Sequence, residues 1–155
     1  MKNIILITAI LLLTSCATSE FTKIKNNSEQ SKLETAHAKK LMLGTWCGQH
    51  TDEDGSISQS TVNRFKDGTY QIDFKEKNKN GVEESWAEFG IWGIRLPIYF
   101  TVLQGFIENE QPYLANTEDS SLYDAYKVVE LTESVFTYDS YTSGNRFTIT
   151  RQCSD

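Results

Sequence analysis

The chain has 155 residues, with 21 acidic against 15 basic side chains and a formal net charge of −6. That length suits one domain of ordinary size rather than two. The acidic surplus argues against a nucleic-acid partner, which needs clustered Lys and Arg at phosphates, and it provides no charge attraction to anionic headgroups.

Met1-Lys2 gives a positive start, and Ile4 to Leu13 is an almost wholly aliphatic run of ten residues. A membrane-spanning helix needs roughly 20 apolar residues, whereas the core of a signal peptide needs roughly 7–15. Leu13-Thr14-Ser15-Cys16 follows. It resembles the bacterial lipobox, in which an aliphatic and two small residues precede a lipid-accepting cysteine. The resemblance implies cleavage before Cys16, diacylglyceryl transfer to its thiol and acylation of the freed amine. Each buried methylene contributes about 0.8 kcal/mol, so such an anchor is effectively permanent. The alternative is an ordinary secretory signal in which Cys16 is incidental. Ala17, where an aspartate commonly retains Gram-negative lipoproteins at the inner membrane, implies the outer membrane with the domain facing the periplasm. The expected organisation is therefore a signal peptide over 1–15, a lipidated tether and short helix over 16–40, and a β-domain over 41–155. Losing Lys2 with the signal peptide takes the net charge from −6 to −7.

Residues 17–30 are polar without apolar periodicity and read as a tether. Ser31-Lys32-Leu33-Glu34 has the form of a capping box, and good helix formers run from it to Leu41. Gly44 ends the predicted helix. Beyond it Asp54-Gly55, Asp67-Gly68 and Asn80-Gly81 recur every thirteen residues. Such pairs accept the positive φ of tight hairpin turns, and the interval suits strands of eight to ten residues. Ser143-Gly144-Asn145 supplies a further turn. Tyr70, Ile72 and Phe74 alternate with polar residues, as do Phe147 and Ile149, which is the pattern of strands with one wet face. About eight strands are expected, at 44–50, 57–66, 69–76, 82–94, 97–107, 122–131, 134–141 and 145–153. The polar, acidic stretch from Glu108 to Ser121 reads as the longest loop.

With Cys16 assigned to lipid, Cys47 and Cys153 remain, one in the first strand and one at the end of the last, in a compartment that permits disulfides. Two buried free thiols, or a reactive thiol, are the alternative. An antiparallel sheet of eight strands removes its edges by closing into a barrel, and closure pairs the first strand with the last. The bridge and the barrel thus predict each other; a β-sandwich is the competing architecture.

Gly44-Thr45-Trp46, placed after a short helix at the head of the first strand, resembles the G-x-W signature of lipocalins and lipocalin-like proteins. Arg64-Phe65-Lys66-Asp67-Gly68-Thr69-Tyr70 and Gly90-Ile91-Trp92 are similar to segments of small bacterial lipocalin-like domains. The resemblance spans 42–153. It implies an all-β, up-and-down antiparallel barrel in which Trp46 closes the floor and a late arginine, Arg151 or else Arg146, packs over it. An eight-stranded interior is either filled by side chains or holds one small ligand.

No catalytic constellation emerges. G-x-S-x-G, P-loop and Rossmann patterns are absent, and the adjacent Glu83 and Glu84 point to opposite faces of a strand. His37 and His50 make no metal site if Cys47 is bridged, and the acidic turn Asp52-Glu53-Asp54 has no EF-hand spacing. No cofactor is expected. The reading is a non-enzymatic envelope lipoprotein whose barrel binds a small apolar or amphipathic molecule. The alternative is a protein-interaction module that uses the acidic 108–121 loop or the barrel rim against a basic envelope protein.

Overall fold

The computed structural model describes residues 15–51, 54–116 and 118–153, with side chains from residue 29 onward. The chain divides after Glu34 into two units, the second running from Thr35 to the C-terminus. One α-helix, α1 (Ser15–Met42), precedes nine strands: β1 (Gly44–Thr51), β2 (Ile57–Arg64), β3 (Thr69–Lys77), β4 (Glu83–Arg95), β5 (Ile98–Glu108), β6 (Gln111–Leu114), β7 (Tyr123–Leu131), β8 (Val135–Ser140) and β9 (Arg146–Thr150). All ladders are antiparallel.

Eight of these strands close into an up-and-down barrel in the order β1-β2-β3-β4-β5-β7-β8-β9, with β9 returning to β1. The turn chemistry explains the register. Gly55, Gly68, Gly81 and Gly144 all have positive φ, at 87°, 91°, 82° and 73°. Each sits where a hairpin reverses and a side chain would be strained. The Asp67 carboxylate accepts hydrogen bonds from the backbone N–H and hydroxyl of Thr69, at 2.9 and 2.7 Å, which fixes the β2–β3 reversal. Those donors hold Asp67 below the usual carboxylate range.

Two elements depart from expectation. The helix already runs from Ser15, the first described residue, rather than from Ser31, so the polar tether is helical over its described length. Residues 15–42 contain neither Gly nor Pro, so nothing in them breaks a helix. Gln30 donates to Glu34 one turn on, at 2.8 Å, within the continuous helix. The second departure is β6, inside the stretch expected to be loop. Asn109 and Glu110 both have positive φ, at 51° and 64°. They turn the chain directly back along β5, which pairs with β7 through Ile98–Val102 and with β6 through Gly105–Glu108. Pro112 pairs with Ile107 on this edge strand, a place where a missing N–H is tolerated.

The core lies at the end of the barrel where β1 begins. Trp46, Phe136 and Met42 are wholly buried, and Ala38, Val62, Trp92, Ile94 and Ile149 join them. The outer face of β4 and β5 carries apolar side chains, Ile91, Ile98 and Phe100, that are each exposed by about two fifths. Among the described residues no helix is long and apolar enough to cross a membrane.

Candidate ligand-binding site

The floor of the barrel is built around Gly44-Thr45-Trp46. The buried indole N–H of Trp46 donates to Met42 O at 3.1 Å, and its ring meets Phe136 edge-on at 6.1 Å. Arg151 lies across the other side of the indole, its guanidinium carbon 4.2 Å from the ring centroid. Its Nη2 donates to Leu41 O at 2.7 Å and its Nη1 to Thr45 O at 3.1 Å. The last carbonyls of α1, which have no partner within a helix, are thus capped by Trp46 and Arg151. Gly44 is required by its backbone and leaves room for the Arg151 guanidinium. Its φ is +87°, and a Cβ there would come within 2.9 Å of the Arg151 Nη1 atom.

Arg146 lies elsewhere, at the rim, where it forms a two-pronged pair with Asp139 at 2.7 and 2.9 Å. Cys47 and Cys153 are disulfide-bonded, with Cα atoms 5.2 Å apart. Ser15 and Cys16 fall in the described backbone of α1, and the remainder of the expected lipobox and signal peptide, residues 1–14, lies outside the described residues. His37 is exposed on α1, and His50 borders an opening beside β1. Among the described residues no three His, Cys, Asp or Glu side chains converge as a metal site would require. Asp52 and Glu53 lie outside the described residues.

Above the plug the barrel is hollow. A cavity of about 260 Å³ is lined by Arg64, Tyr70, Tyr99, Tyr126 and Tyr138, with Ile72, Phe74 and Leu103 higher up. These residues come from five different strands and share the inward face through register: Arg64 opposes Tyr70, Tyr99 opposes Tyr126, and Ser140 opposes Tyr126. The rings interlock. Tyr99 stacks on Tyr126 at 5.2 Å, and Tyr138 meets both edge-on at 5.6 and 5.0 Å. Burial pushes the hydroxyls of Tyr70, Tyr126 and Tyr138 up from the ordinary tyrosine value. They therefore stay protonated and can donate.

A second space of about 490 Å³ adjoins the first, sharing Ser60, Phe74, Tyr138 and Phe147 with it and reaching outward past Gly48 and Arg146. It lies along the β1–β9 seam. Among the described residues that ladder consists of one registered pair, Cys47 with Thr150, so backbone pairing along this seam is thin.

Two carboxylates also line the cavity, Glu88 and Asp124. Burial, aided by the charge of Asp124, raises the pKa of Glu88. A raised folded-state value means the stabilising balance is present below the unfolded value of roughly 4.3 and is lost as pH rises through the folded one. Glu88→Gln is accordingly expected to raise stability more at pH 7 than at pH 4, measured as urea midpoints. The reverse ordering would show that the carboxylate is favourably paired when ionised.

Sequence reasoning singled out the floor residues and expected a ligand-holding interior, but did not single out the residues that line it. The signal was present in β2: Val62 is paired with Trp46, and Arg64, two residues on and paired with Gly44, shares its face, which places a cation on the apolar side.

A closed β-barrel with a plugged floor and an aromatic, part-hollow interior is the class of domain these features define. Among solved structures, the chain is similar to a crystal structure of a lipocalin-like protein from Bacteroides uniformis ATCC 8492, at 16% identity and a TM-score of 0.45, over 72% of this chain and 99% of that one. No family model matches the chain. No curated protein matches it.

Proposed function

We propose that this chain is a lipid-anchored envelope protein with a non-enzymatic, lipocalin-like domain that takes one small amphipathic molecule into its barrel. The observation that carries this reading is the cavity itself, aromatic and partly polar, above a floor sealed by Trp46 and Arg151. Its volume of about 260 Å³ is just below the roughly 300–1,000 Å³ of pockets for drug-sized ligands. The occupant is therefore a small molecule whose outer end has the adjoining space of about 490 Å³ to run into. Native mass spectrometry of the isolated protein tests the proposal, with a co-purifying small molecule as the expected result. A chain that isolates empty and takes up neither a medium-chain alcohol nor a medium-chain acid would overturn it.

The anchor belongs to the same proposal and rests on Leu13-Thr14-Ser15-Cys16. Ala17 extends it to the outer membrane, facing the periplasm. Cys16→Ser is expected to abolish metabolic labelling with palmitate and release the protein from the membrane fraction; unchanged labelling would remove the anchor from the proposal.

One observation favours the second reading, a protein-interaction module. β6 pairs on one side only, and Leu114 and Tyr113 on it are 83% and 54% exposed. An open edge of this kind is a template for another chain's strand. Under that reading, a Leu114→Lys change lowers capture of a basic envelope protein and leaves small-molecule uptake unchanged.

A further inference from the structure

We infer that the ligand of this barrel carries a carboxylate and enters head-first to pair with Arg64; the inference rests on the binding reading above and narrows its ligand class. Arg64 is 3% exposed, in the company of Lys and Arg side chains that are almost never so buried unless paired. Its Nη2 donates to the Tyr99 hydroxyl at 2.9 Å, while Nε and Nη1 are buried without any hydrogen-bond partner. Among the described residues no carboxylate forms an ion pair with it. The guanidinium lies 5.1 Å from the Tyr99 ring centroid and 5.6 Å from that of Phe136. Those rings attract it but do not satisfy its N–H donors.

A buried cation with open donors is costly unless an anion completes it. Arg64 borders the cavity and lies directly above the plug through its contact with Phe136. Nε and Nη1 are themselves closed off, so a ligand pairs with them once the guanidinium turns toward the cavity that Arg64 lines. An arginine fork matches a planar oxyanion best, and the hydroxyl-bearing Tyr138 and Tyr126 rings surround the same level. Higher in the cavity Phe74, Leu103 and Phe147 offer apolar contact for a short chain. Glu88 and Asp124 line the same cavity, and they disfavour an anionic group resting anywhere but at Arg64. The geometry therefore selects a short-chain molecule with one carboxylate at its buried end. The other buried polar groups without a partner among the described residues, the Thr35 hydroxyl and the indole N–H of Trp92, do not border the cavity.

Calorimetric titration of the full chain bearing Cys16→Ser, which has no acyl chains to compete, tests this with octanoate and 1-octanol as probes. Octanoate is expected to bind at least about tenfold more tightly than 1-octanol, the scale of a hydrogen bond to a charged group. Arg64→Gln is expected to erase that preference while leaving 1-octanol affinity in place, and Arg64→Lys to retain part of it. If Arg64→Gln fails to fold, the comparison of the two probes on the unsubstituted barrel still decides. Octanol bound as tightly as octanoate overturns the inference and leaves the binding reading standing. Uptake of neither probe overturns both.

Discussion

Trp46→Ala is expected to destabilise the barrel by about 3–5 kcal/mol, the range for deleting a large buried aromatic. Trp46 is wholly buried, and its ring is the contact on which three other parts of the floor depend. Phe136 loses its edge-on neighbour, Met42 O loses its indole donor, and the Arg151 guanidinium loses the face it covers. Domain stabilities of about 5–15 kcal/mol leave little margin for such a loss. Urea denaturation followed by circular dichroism measures it. Arg151→Ala is expected to cost less because that side chain is only half-buried, although it removes both the stack on the ring, worth up to about 2 kcal/mol, and the hydrogen bonds to Thr45 O and Leu41 O. The two losses overlap, so the double variant should fall short of their sum. A loss below about 1 kcal/mol for Trp46→Ala would mean that the floor does not hold the barrel together.

Much of this fold was legible because its devices are local. A glycine at positive φ marks the β1–β2, β2–β3 and β3–β4 reversals, and period-two alternation marks the strands between them. The β5–β6 reversal uses the same backbone geometry without glycine: Asn109 and Glu110 both take positive φ, and Glu110 carries no signal of it. The following Pro112 then reads as loop although it sits on an edge strand. The helical tether was equally silent. Residues 15–30 lack an apolar stripe, so their helicity leaves no periodic trace in the sequence. Arg64 was hidden for another reason. It stands beside the turn Phe65-Lys66-Asp67-Gly68, where a charge is unremarkable, and only closure of the barrel puts it beneath tyrosines from β5, β7 and β8. A cavity assembled from separate strands is a property of register, and register is not written at any one residue.

The disulfide is the second point at which one change should have a large effect. Cys47 and Cys153 are 106 residues apart, and closing a loop of that size is worth about 4–5 kcal/mol in the chain-entropy model. Its position adds to its length. The β1–β2 and β3–β4 ladders have eight and nine registered pairs, whereas β1 and β9 meet at one, Cys47 with Thr150. The covalent bond therefore stands at the seam where hydrogen bonding is thinnest. Replacing both cysteines with serine is expected to lower stability by about 3–5 kcal/mol and to open the barrel along that seam first. Amide hydrogen exchange should accelerate in β1 and β9 and remain slow in β3 and β4, whose mutual ladder does not depend on closure. Uniform acceleration in all strands would instead assign the disulfide to global stability alone. Unchanged exchange at β1 and β9, with an unchanged urea midpoint, would show that the floor of Trp46, Phe136 and Arg151 closes the barrel without it.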